Sequence, residues 1–194
     1  MIIAGVGVGP NMLTLEAIEA IRNASVVYGS KRSLELAEPY IECEAKVIKN
    51  YKALHELPDD AVVLSTGDPM FSGLGKFAGE GDRIIPGISS IQVACSRLGV
   101  SMSNIAAITA HGRDPAPAKK AFIQEIELGK DIFMLPADTF GVAEVAEVLK
   151  EMGIEAGLYV CENFGYPEER IAGGTVDEPP KAESVLHCVV VVRQ

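Results

Sequence analysis

The chain has no tryptophan, only three histidines and few aromatics (6% of residues). It also has no surplus of positive charge: 17 Lys and Arg stand against 27 Asp and Glu, a net charge of −10 over 194 residues. A chain this acidic carries no broad basic face, which argues against nucleic acid or an anionic membrane as its partner. An anionic ligand would have to meet local cations. No apolar run approaches the ~20 residues that span a bilayer. Met1-Ile2-Ile3-Ala4-Gly5 enters an apolar stretch without a basic leader, so a cytoplasmic protein is expected. Cys43, Cys95, Cys161 and Cys188 form no C-x-x-C pair, which excludes the common zinc-ribbon and redox spacings. They read as reduced, mostly buried thiols, and no metal site is expected.

What is present is an alternation of short β-rich runs and helical patterns, the mark of parallel βαβ units. Strands are expected at Ile2–Val6, Ser25–Tyr28, Lys46–Ile48, Ala61–Ser65 and Arg83–Ile85, with helices near Leu15–Ala24 and Ser89–Leu98. Beyond Ile108 the stretch to Ala118 holds Gly112, Pro115 and Pro117 and little periodicity. The reading therefore divides the chain into an N-terminal α/β domain (1–110), a linker (111–118) and a C-terminal α/β domain (119–194). In the second part helices are expected near Lys119–Leu128 and Val142–Met152. Strands are expected at Asp131–Leu135, Gly157–Cys161, Arg170–Gly173 and Leu186–Val192. The last three lack long helices between them, so this half is expected to be a mixed sheet.

The glycines carry the functional signal. Gly5-Val6-Gly7-Val8-Gly9-Pro10, Thr66-Gly67-Asp68-Pro69 and Pro86-Gly87-Ile88-Ser89-Ser90 each follow a predicted parallel strand. The carboxyl ends of such strands share one edge, where open α/β sheets bind ligands. Glycine lets a ligand approach the backbone, and Ser, Thr and Asp supply hydrogen bonds. The first loop lacks a full G-x-G-x-x-G pattern. Tyr28-Gly29-Ser30 stands where a nicotinamide-binding fold would end its second strand on an acid.

G-V-G-V-G-P-N-M-L-T, S-T-G-D-P-M-F-S-G and I-P-G-I-S-S-I-Q-V-A, in this order, resemble the tetrapyrrole methyltransferases over nearly the whole chain. Tyr28–Leu36 and Thr109-Ala110-His111-Gly112-Arg113 are similar to the branch that methylates C5 of cobalt-precorrin-7, also described as precorrin-6Y methylase. The resemblance implies a two-domain fold, with S-adenosylmethionine held in a cleft and a polycarboxylate macrocycle as substrate. It also implies a homodimer, and a separate protein for the C15-methylating decarboxylation. The cofactor residues it implies are Val8, Gly67, Asp68, Met70, Phe71, Ser89, Ser90 and Ile91, with mostly main-chain contacts at Leu135, Cys161 and His187.

Methyl transfer to a ring carbon chiefly requires the reacting atoms held at near-attack distance with little competing water. His111 and then Glu162 are the candidates to take the proton that is lost. Lys31, Arg32 and Arg113 are the candidate partners of the substrate's carboxylates, arginine bidentately. Other readings of the same residues are a methyltransferase of this fold acting on another macrocycle position, on diphthine or on ribosomal RNA. Further ones are an NAD(P)-dependent oxidoreductase and a non-catalytic nucleotide-binding module. The negative charge argues against RNA, and the missing ribose acid against NAD(P).

Overall fold

In the computed structural model, which describes residues 1–112 and 114–193, five strands form the first sheet. They are β1 (Ile2–Gly5), β2 (Val26–Gly29), β3 (Glu44–Val47), β4 (Val62–Ser65) and β5 (Arg83–Ile85). All pairings are parallel and the order is β3-β2-β4-β1-β5. β4 is buried throughout, as its unbroken Val-Val-Leu run requires of a central parallel strand. Around it Ile3, Val63, Ile48 and Leu54 form an apolar cluster.

Helix α1 (Leu15–Arg22) follows β1, capped by the Thr14 hydroxyl, which accepts from Ala17 N. Helix α2 (Lys31–Ala37) follows β2 and is not among the helices expected from the sequence. Its sequence signal is Ser30, whose hydroxyl accepts the N–H of Ser33 at 3.0 Å, a standard N-cap. Gly29 lets the helix start lie against the strand, since a Cβ there would sit 2.6 Å from Ser33 Oγ. Helix α3 (Ser90–Leu98) follows the loop after β5.

The second sheet holds β6 (Ile105–Thr109), β7 (Asp131–Leu135), β8 (Ala156–Glu162), β9 (Arg170–Thr175) and β10 (His187–Arg193). Its order is β6-β7-β10-β8-β9. β6 and β7 are parallel and the other pairs antiparallel, the mixed sheet expected. Helices α4 (Pro115–Glu127) and α5 (Val142–Met152) contribute Phe122, Ile126, Val145 and Leu149 to its core, and Phe122 meets Phe140 edge-on.

By contact density the chain forms two compact units, Met1–Ser90 and Ile91–Gln194. This differs from the sequence reading at two points. Residues 91–110, assigned there to the first domain, fall in the second unit, where Ile105–Thr109 form β6 and pair with β7. Residues 115–118, read as linker, are the first turn of α4, because Asp114 caps it (Ala116 N to Oδ1, 3.1 Å) and Pro115 suits the first helical position. Among the described residues no helix is long and apolar enough to cross a membrane.

Candidate active site

In the first unit the three glycine loops leave β1, β4 and β5, which are adjacent strands, so they stand side by side. They are knitted through the backbone. Gly7 and Gly67 exchange N–H···O bonds of 3.3 and 2.8 Å beyond the ends of their strands. A Cβ on Gly5 would lie 2.6 Å from Gly87 Cα and 2.8 Å from Gly67 O, and one on Gly87 would fall on the Gly67 carbonyl. Only glycine permits this approach at either position.

Asp68 fastens the knot. Its Oδ1 accepts the N–H of Met70 at 2.8 Å and its Oδ2 that of Gly87 at 3.1 Å. The carboxylate thus organises two loops while remaining half-exposed. Ser65, buried at the end of β4, accepts Leu74 N at 3.2 Å and holds the far side of the same loop. Met70 projects from this loop with 66% of its surface exposed, and Phe71 is half-buried beside it in sequence. Ser89 and Ile91 are buried, Ser90 half-buried.

The two candidate cations after β2 part company. Lys31 is exposed. Arg32 is half-buried, and its guanidinium donates to the carbonyl of Val8 in the β1 loop, a contact that the sequence does not suggest. Arg113 lies outside the described residues.

In the second unit the strand directions place the carboxyl ends of β6, β7 and β8 and the amino end of β10 on one edge. His111, Leu135, Cys161, Glu162 and His187 therefore share that edge. His111 is exposed, and its backbone N–H and that of Ala110 both donate to Leu135 O (3.2 and 2.8 Å). His187 is half-buried, with Nδ1 2.7 Å from the carbonyl of Ser184.

Glu162 does not suit the role of proton acceptor. It is 1% exposed, and its Oε1 accepts the N–H groups of Glu183 (2.6 Å) and Ser184 (2.8 Å) while Oε2 pairs with Arg170 at 2.8 Å. Burial by itself would raise its pKa. The hydrogen bonds from Arg170 and the two amides outweigh it and hold the carboxyl below the usual range. Its lone pairs are committed to holding the 183–186 turn against β8. Cys161 faces Cys188 across β8 and β10, both thiols buried. Their hydrogen bond lowers the Cys161 pKa and, with burial, pushes Cys188 well up. Any contact of Cys161 with a ligand is therefore through its main chain.

Residues 2–180 match the family model for tetrapyrrole (corrin/porphyrin) methylases. A probable cobalt-precorrin-7 C(5)-methyltransferase from Methanocaldococcus jannaschii is 34% identical over 188 residues, 86% of each chain. The cobalt-precorrin-7 C(5)-methyltransferase of Salmonella typhimurium is 29% identical, over 86% of this chain and 87% of its own. A decarboxylating precorrin-6Y C(5,15)-methyltransferase from a Sinorhizobium species is 33% identical over 80% of this chain, which spans 40% of that longer protein. Among solved structures, a cobalamin-biosynthesis precorrin-6Y methylase from Archaeoglobus fulgidus superposes with a TM-score of 0.76 at 29% identity, covering 100% of this chain and 98% of its own. With three knitted glycine loops on a parallel sheet followed by a mixed sheet, the chain belongs to the tetrapyrrole methylases.

Proposed function

We propose that this chain is an S-adenosylmethionine-dependent C-methyltransferase that acts on C5 of cobalt-precorrin-7 in cobalamin biosynthesis. The observation that carries the reading is the 34% identity, over 86% of both chains, to a relative bearing that name. When bound, S-adenosylmethionine supplies the methyl group on a sulfonium cation. The residues suit such a group. The first-unit edge is rich in acceptors, with the half-exposed Asp68 carboxylate, Ser89, Ser90 and loop carbonyls, and beside them Val8, Met70 and Phe71 offer apolar surface; Ile91, buried in α3, is the remaining apolar member of the proposed set. Leu135, Cys161 and His187 complete the proposed cofactor set through their main chain. Lys31 and Arg113 are the proposed partners of the macrocycle's carboxylates, and His111 the proposed acceptor of the ring proton. The same reading makes the enzyme a cytoplasmic homodimer.

Its test is incubation of the purified protein with cobalt-precorrin-7 and methyl-labelled S-adenosylmethionine. The expected product carries one added methyl group, located at C5 by NMR. Methylation at another carbon would move the chain to a different step of the family. Tight NADH binding with no response to S-adenosylmethionine would overturn the reading altogether.

A further inference from the structure

Arg32 donates to the carbonyl of Val8 in the β1 loop, and that contact gives it a task within the fold. The start of α2 is fixed to β2: Ser30 caps Ser33 N at 3.0 Å, Ser33 Oγ donates back to Ser30 O at 3.1 Å, and Gly29 admits the helix closely. Arg32 lies inside this anchored turn. Its guanidinium reaches Val8, which belongs to the loop of β1, and in the sheet order β4 stands between β2 and β1. Two strand spacings are about 9–10 Å, a gap for which arginine's long stem is suited. The side chain therefore bridges from the loop of β2, past β4, to the loop of β1. Val8 in turn stands close to Gly67, where a Cβ would meet its Cγ1 at 3.3 Å, and Gly67 is bonded to Gly7.

We infer that Arg32 is a positioning residue: a charged strut that sets the main chain of the Val8–Gly9 turn and so joins the β2 loop to the three-glycine edge. Guanidinium suits this role because it is always charged, and a charged donor strengthens a bond to a carbonyl. The inference rests on the methyltransferase reading only for its catalytic consequence. The structural claim holds for any ligand of this edge.

The test compares wild type with Arg32→Lys, Arg32→Gln and Arg32→Ala. Amide hydrogen exchange is followed without ligand, alongside S-adenosylhomocysteine binding and kcat and KM for cobalt-precorrin-7. Loss of a charge-assisted bond is expected to speed exchange across residues 6–12 by about tenfold or more in Arg32→Ala and Arg32→Gln. Exchange in the second sheet should stay unchanged, cofactor affinity should weaken, and kcat should fall more than KM rises. Arg32→Lys, which keeps the charge and most of the stem, should recover part of each. Unchanged loop exchange overturns the inference. If this comes with a rise in KM alone that shrinks as salt is added, Arg32 is a substrate contact instead. Should Arg32→Ala fail to fold, the Lys and Gln variants carry the same comparison. Failure of the wild type to bind S-adenosylhomocysteine would sink the methyltransferase reading, and the exchange data would still decide the strut.

Discussion

Asp68 in the β4 loop accepts the backbone N–H of Gly87 in the β5 loop at 3.1 Å, so one carboxylate side chain sets the path of a neighbouring main chain. Its other oxygen is bonded to Met70 N at 2.8 Å. Asp68→Ala is therefore expected to act twice. It should weaken S-adenosylhomocysteine binding by about 1.5–3 kcal/mol and lower stability by about 1 kcal/mol, since bonds to a charged group are lost while the site stays solvent-accessible. Calorimetric titration and chemical denaturation read the two effects separately. Normal binding with lowered stability would leave Asp68 a purely structural clasp.

Gly87→Ala is expected to cost about 2–3 kcal/mol or more, because the added methyl meets the Gly67 carbonyl and the Gly5 backbone, neither of which is a flexible side chain. Gly99→Ala is the matched control. A Cβ there meets nothing within 4 Å, and only the positive φ of 67° opposes it, for about 1 kcal/mol. Urea denaturation of both variants checks the difference; equal losses would refute the crowding argument.

Glu162→Gln should destabilise the fold by about 2–3 kcal/mol, less than for a fully buried pair because Arg170 is partly exposed. The Glu162 carboxyl is held below its ordinary range in the folded state, so the native form binds fewer protons than the unfolded one. Its contribution is thus complete above the unfolded value, about 4.3, and is lost as pH falls through the lower folded value. The stability gap between wild type and variant should be flat near neutrality and should close in acid. A gap independent of pH would show that Glu162 acts by packing alone.

His111→Asn is expected to lower kcat by ~10²–10⁴-fold, the range for removing a positioned proton acceptor, with cofactor affinity unchanged. His111 is exposed on the second-unit edge, so its replacement should leave folding intact. A loss below tenfold in single-turnover assays would assign His111 to substrate positioning.

Lys31→Glu should raise KM for the polycarboxylate macrocycle and leave S-adenosylhomocysteine binding unchanged. Lys31 is exposed, so the effect should shrink between low salt and 0.5 M salt as screening shortens its reach. A salt-independent change would point to altered packing of α2.

The parallel sheet and the glycine loops along its edge were legible because their signals are local: an unbroken apolar run at Val62–Leu64, and glycine clusters directly after strands. Strand β6 was less so, since Ile105–Thr109 is short, alanine-rich and mostly half-buried or exposed. Helix α2 has seven residues and opens on two cations, too short for periodicity to declare it. The roles of Glu162 and Arg32 were hidden for a different reason. Glu162 is held by two backbone amides as well as by Arg170, and Arg32 donates to a backbone carbonyl, and no residue letter marks such main-chain groups.

The contact of Gly5, Gly67 and Gly87 also limits how this protein can vary. Three positions far apart in the chain meet at one point in space, where each occupies room that a side chain on another would need. They behave as a single site, so a methyl introduced at Gly5 or Gly87 cannot be accommodated by trimming the other two, which have nothing left to remove. Repurposing the enzyme for another macrocycle would have to leave this point untouched and work through other side chains.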